Sequence, residues 1–84
     1  MSKPALLNVA IIAANIGAAE LEFAVKKVHK LGVIKKGPTD YVTEVDQRVE
    51  SMVFEKIKEY YPKDNFLGEE SGHEINTSDT TWIL

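Results

Sequence analysis

Cysteine is absent from the chain, so it can form neither a disulfide nor a thiolate metal site, and a reducing compartment suits it. An excess of basic charge is absent too: 10 Lys and Arg stand against 13 Asp and Glu, for a net charge of −3. That balance argues against nucleic acid or an anionic membrane as the principal partner. The apolar run from Ala5 to Ala19 is broken by Asn8 and Asn15 and followed by Glu20 and Glu22. A bilayer span takes about 20 apolar residues, so this run reads as too short. With only Lys3 ahead of it, it also lacks the basic lead-in of a secretory signal. The expectation is a soluble, cytoplasmic protein with no membrane partner. There is no Walker-type or dinucleotide-binding glycine loop, and Asp64 to Ser71 lacks the alternating oxygen ligands of an EF-hand. Four residues after His73 stands Thr77, which leaves no histidine pair for zinc. His29 falls at a helix end and needs no function. No internal repeat or low-complexity tract is present.

What remains is an ordinary globular composition, 44% hydrophobic and 27% charged, which excludes a disordered chain. At 84 residues it is one small domain or part of a larger one, and a single core of that size supplies only a few kcal/mol.

Ser2 followed by Pro4 suits a helix start, and a helix is expected over about 4–31. Leu6, Ala10, Ala13, Gly17, Leu21, Ala24, Val28 and Leu31 recur at helical spacing as one apolar stripe. Leu7, Ile11, Ala14, Ala18 and Val25 flank it, so the first half of the helix is apolar around much of its circumference and calls for cover on two sides. Lysines near its end favour the carbonyl pole of the dipole, and Gly32 is a stop. An exposed, mobile loop is expected over about 32–42. A second helix follows over about 43–61, with Val45, Val49, Met52, Val53, Ile57 and Tyr60 inward. Gln47, Arg48, Glu50, Glu55, Lys58 and Glu59 are expected to face water. Pro62 ends it. Strands are expected at about 66–69 and 81–84, separated by a polar loop from His73 to Thr80. Trp82, Ile83 and Leu84 stop at full hydrophobicity where a strand should run on to a turn, so the chain reads as interrupted.

The carboxylates that could carry chemistry are Asp40, Asp46, Glu69 and Glu70. Magnesium takes oxygen ligands, usually one or two carboxylates with waters and substrate phosphate. Each also has a plainer reading. Thr43-Glu44-Val45-Asp46 matches a capping box, in which Asp46 satisfies a backbone N–H at the helix start. Glu69 and Glu70 on an extended strand would point to opposite faces as solvated charges. Lys35 and Lys36 could meet a phosphate or simply sit in solvent.

Three segments carry a resemblance. Lys36-Gly37-Pro38-Thr39-Asp40-Tyr41-Val42-Thr43-Glu44-Val45-Asp46 is similar to the K-G-x-x-D-x-V-T-x-x-D motif of the inositol monophosphatase family. Phe66-Leu67-Gly68-Glu69-Glu70-Ser71-Gly72 resembles its [IF]-[ILV]-x-E-E-S-G motif, and Thr81-Trp82-Ile83-Leu84 resembles the W-[IV]-[IVL] that precedes its D-P-[ILV]-D-G-T metal loop. The order and spacing match behind a long first helix, so the resemblance covers essentially the whole chain.

The resemblance implies an α/β protein in which this α+β segment supplies two helices and the first strands of a layered αβαβα sugar-phosphatase fold, as the N-terminal part of a single domain. It implies Mg2+ as cofactor, a small phosphorylated substrate and a homodimer at full length. Glu69 would be a metal ligand that also orients the attacking water, and Glu70 its partner at the edge of the site. Asp46, with Thr43 in the same motif, would stand behind the ligands, hydrogen-bonded toward a catalytic threonine. Lys35 or Lys36 would lie on a loop closing over the site. The metal-loop aspartates and the threonine lie beyond Leu84, so the segment alone is expected to be inactive. The competing expectation is a small non-catalytic α+β interaction module whose carboxylates are caps and surface charges.

Overall fold

The computed structural model describes residues 4–31 and 38–84. The expected cap at Ser2 lies outside them. The first helical hydrogen bond runs from the Val9 N–H to the Ala5 carbonyl at 3.1 Å, and helix α1 occupies Leu6–Leu31. Helix α2 occupies Pro38–Tyr60. It thus starts before Thr43, where it was expected. Proline has no N–H to satisfy in a first turn and its φ is already helical, so Pro38 opens the helix. The Tyr61 N–H still reaches the Ile57 carbonyl at 2.9 Å, and Pro62 stops the ladder there.

The two helices run antiparallel, as the order of their contacts requires. The Tyr41 hydroxyl donates to the Ala24 carbonyl at 3.3 Å, and Arg48 Nε donates to Glu20 at 2.5 Å. Gly17 faces Val49 and Val53, and the Tyr61 hydroxyl closes the far end on the Pro4 carbonyl at 2.6 Å. Gly17 sets the closeness of the crossing, because a Cβ there would stand only 3.0 Å from the Val53 methyl.

Three short strands complete the chain: β1 (Asn65–Gly68), β2 (Gly72–Glu74) and β3 (Thr81–Ile83). Their order is β2-β1-β3. Strand β1 pairs antiparallel with β2, Leu67 opposite His73, and parallel with β3, Phe66 beside Trp82. Strand β2 corrects the expectation of a plain loop from His73. All three of its residues are exposed, so it carries no apolar alternation; backbone pairing to β1 and the Lys58–Glu74 ion pair at 2.8 Å hold it. The loop after it is pinned by two asparagines. The Asn76 amide donates to the Asp64 carbonyl at 2.8 Å, and the Asn65 amide to the Ser78 carbonyl at 2.9 Å.

The core gathers Val9 and Ala13 of α1, Val53, Phe54 and Ile57 of α2, and Phe66 of β1. Phe54 meets Phe66 edge to face with centroids 5.2 Å apart, and each buried ring contributes about 1.5–3 kcal/mol. Val9 and Phe54 belong to neither expected stripe. Leu6, Leu7, Ile11 and Leu21, by contrast, remain exposed. By length and composition the 22 residues Leu6–Lys27 could cross a membrane, which corrects the reading of the N-terminal run as too short. In this fold α1 lays its small-residue stripe on α2.

Candidate metal and phosphate site

Asp46, Glu50, Glu69 and Glu70 line one pocket of about 240 Å³ together with Leu21, Val49 and Leu84. Two parts of the chain are brought together there. Asp46 and Glu50 are one helical turn apart and share a side of α2. Glu69 and Glu70 stand in the turn that leaves β1. The Glu69 N–H donates to the Leu84 carbonyl at 3.3 Å, and the Leu84 N–H to the Leu67 carbonyl at 3.0 Å, so β3 fixes the backbone from which the turn departs.

The turn corrects one expectation. Strand β1 ends at Gly68, so Glu69 and Glu70 do not alternate across a sheet; both reach the same pocket. The capping-box reading of Asp46 is also overturned, because α2 has been running since Pro38 and Asp46 lies well inside it, exposed. Thr43 is exposed on the same helix, three residues before Asp46. Asp40 falls in the first turn of α2, where negative charge suits the helix pole; its side chain lies outside the described residues. Lys35 and Lys36 lie outside them entirely. His73 is exposed on β2 and lines a different pocket with Lys58 and Glu74.

Glu50 was expected to face water, and it does not. It is 4% exposed. One carboxylate oxygen accepts the Glu70 N–H at 3.0 Å; the other accepts the Ser71 N–H at 2.8 Å and also the Ser71 hydroxyl. Burial pushes this carboxyl up, but the Ser71 hydroxyl and the two N–H groups outweigh it and hold the carboxyl below the usual glutamate range. A signal for it exists in the sequence: Glu50, Val53, Phe54 and Ile57 share the three- and four-residue spacing of a buried face.

The donor chemistry is that of a hard cation. The Asp46, Glu69 and Glu70 carboxylates are exposed, and among the described residues no basic side chain lines their pocket. Among the described residues no group of three or more His, Cys, Asp or Glu is placed to enclose an ion. A magnesium ion needs only one or two carboxylates from a protein segment, with waters and phosphate oxygens completing the shell. The residues present therefore fit part of such a site. The larger cavity, about 380 Å³ between α1, α2 and β3, is lined by residues such as Ala14, Gly17, Val53 and Trp82, and among the described residues it offers no charged donors.

Comparison with known proteins agrees with the motifs. The model of the inositol monophosphatase family matches residues 3–84. An inositol-1-monophosphatase of Rhizobium meliloti is 37% identical over 86 aligned positions, covering 100% of this chain and 32% of that protein. Human inositol monophosphatase 1 is 45% identical over 56 positions, 62% of this chain and 20% of the relative. A Vibrio cholerae protein named Nus factor SuhB is 31% identical over 80 positions, 94% of this chain and 30% of its own length. The chain thus spans about a fifth to a third of these relatives. With the family model matched along nearly its whole length, and with the two carboxylate-bearing motifs folded onto one pocket, the chain belongs to the inositol monophosphatase family.

Proposed function

We propose that the protein carrying this segment is a magnesium-dependent phosphomonoesterase that hydrolyses inositol 1-phosphate or a related sugar phosphate. The observation that carries this reading is the meeting of Asp46 with Glu69 and Glu70 in one pocket, from stretches of chain more than twenty residues apart, in a member of this family. When bound, a divalent cation supplies charge neutralisation for the phosphate and a lowered pKa for attacking water.

The chain's own residues have distinct tasks in this reading. Glu69 and Glu70 offer exposed carboxylate oxygens on a turn of fixed course, and Glu69 also orients the water. Asp46, on α2, lines the same pocket and stands ready to accept a proton or hold a hydroxyl in place. Thr43 supports Asp46 from the same helix. Lys35 and Lys36 precede α2 and would bring positive charge to the phosphate. The family resemblance extends the reading to a homodimer, and the acidic, cysteine-free composition extends it to a cytoplasmic enzyme.

The test is phosphate release from inositol 1-phosphate by the full-length protein, with and without magnesium. Release is expected only with the ion, and Glu69→Gln is expected to lower it by a factor of 100 or more, as for loss of a metal ligand and water-orienting group (~10²–10⁴). The isolated 84 residues are expected to be inactive. Turnover that survives Glu69→Gln unchanged would sink the proposal.

A further inference from the structure

Among the described residues two carboxylates are buried, Glu50 and Asp64; the reading above uses neither, and Glu50 is the one that reaches the pocket of Asp46, Glu69 and Glu70. Its surroundings differ from those of a charge tolerated for solubility. It has no cationic partner among the described residues; its contacts are the Glu70 N–H, the Ser71 N–H and the Ser71 hydroxyl. Backbone N–H groups that converge on one carboxylate form an anion cradle, and here the anion is supplied by a neighbouring helix. The fit is tight enough to forbid a side chain on Gly68: a Cβ there would fall on the Glu50 carboxylate and stand 2.8 Å from the Ser71 hydroxyl.

This grip has a geometric consequence. The N–H groups of Glu70 and Ser71 are turned inward to Glu50, so the course of the Glu69–Ser71 turn is fixed on its buried side. The Glu69 and Glu70 side chains emerge on the exposed side, into the pocket that Asp46 also lines. Glu50 lines that pocket as well, and among the described residues no basic side chain does. Its negative charge therefore adds to the field of the other three carboxylates in a place where water screens it least.

We infer that Glu50 is a positioning residue for a divalent cation: without touching the ion, it clamps the turn that presents Glu69 and Glu70 and adds its charge to their pocket. The inference rests on the proposed metal site and assigns Glu50 a role beyond holding α2 to the sheet. Groups that orient ligands in this manner typically carry about 10–100-fold of metal affinity. A purely structural clamp would lower stability and leave affinity untouched.

The test is Mn2+ binding by the full-length protein, read by electron paramagnetic resonance of the free ion, at a temperature where circular dichroism reports each variant folded. Glu50→Gln keeps the shape but loses the charge and half the acceptor capacity; its Mn2+ affinity is expected to fall about tenfold. Ser71→Ala removes only the hydroxyl contact and is expected to weaken binding about threefold, and it decides the matter should Glu50→Gln fail to fold. Glu55→Gln, exposed elsewhere on α2, is expected to bind like the wild type. A folded Glu50→Gln, or in its place Ser71→Ala, that binds Mn2+ as tightly as wild type overturns the inference alone. A wild-type protein that binds no Mn2+ overturns the proposed metal site and this inference together.

Discussion

Gly68 and Glu50 occupy each other's space: the helix carboxylate lies where the Cβ of any other residue at position 68 would be. Gly68 itself is buried and its backbone conformation is ordinary, so the demand for glycine here is one of room. Gly72, with φ of 81° and open space where a Cβ would stand, is the opposite case, needed for its left-handed turn. Gly68→Ala is expected to lower stability by about 1–3 kcal/mol through overpacking. The same change made on top of Glu50→Ala should cost much less, because the two sites share one volume. Equal penalties in both backgrounds, measured by urea denaturation, would rule out the shared volume.

The pH dependence of stability follows from the same carboxylate. The Glu50 pKa is lowered in the folded state, from an ordinary value of 4.5. A depressed folded pKa means that the ionised form stabilises the fold above the unfolded value. That contribution then fades as pH falls below 4.5 toward the folded pKa. At neutral pH the wild type should exceed Glu50→Gln by about 1–3 kcal/mol, the cost of imperfectly satisfied buried donors. The gap should shrink as acid protonates Glu50. Thermal melts of both proteins from pH 7 downward check this, and a gap that widens in acid would contradict the sign.

Why Glu50 escaped a reading of the sequence is instructive. A glutamate in a helix whose other charges are solvated reads as one more solvated charge, and nothing local announces that a turn twenty residues on will supply its donors. The two helices were legible because three- and four-residue apolar spacing persists through both. The start of α2 was not, since Thr43-Glu44-Val45-Asp46 imitates a capping box while Pro38 had already opened the helix. On α1 apolar residues cover so much of the circumference that spacing could not choose the face toward α2, and Val9 proved deeper than Leu6 or Leu7. Strand β2 left no apolar pattern because none of its side chains is buried. The shared pocket of Asp46, Glu69 and Glu70 came from motif resemblance; alternation along a strand would have set the last two apart.

Phe66 ties the sheet to the helices. It is 2% exposed, stacks edge-on with Phe54, and carries the Lys58 ammonium 5.0 Å from its ring centre. Phe66→Ala is expected to destabilise by about 3–5 kcal/mol, a cavity at the junction of α1, α2 and β1. Phe66→Leu should cost clearly less, since it refills much of the volume. Arg48→Ala, which breaks the exposed ion pair to Glu20, should cost about 1 kcal/mol or less and fade with salt. Denaturant midpoints of the three variants give the ranking, and an Arg48→Ala penalty rivalling Phe66→Ala would upset it.

Trp82 secures the other edge of the sheet through Asp64. Its indole N–H donates to the Asp64 carboxylate at 2.8 Å, and Asp64 is only 5% exposed. Trp82→Phe keeps an aromatic ring near Tyr61 but strips a buried carboxylate of this donor. The expected loss is about 1.5–3 kcal/mol for a hydrogen bond to a charged group, plus the packing of the smaller ring. Asp64→Asn should be milder, because the amide oxygen still accepts from the indole and no charge remains to be satisfied. The decisive comparison is Asp64→Leu alone, Trp82→Phe alone and the two combined. Once both polar partners are gone, no orphaned group is left, so the pair should cost less than the sum of the single changes. If the losses simply add, Trp82 packs against β1 without depending on Asp64, and the hydrogen bond contributes nothing that its neighbours do not already supply.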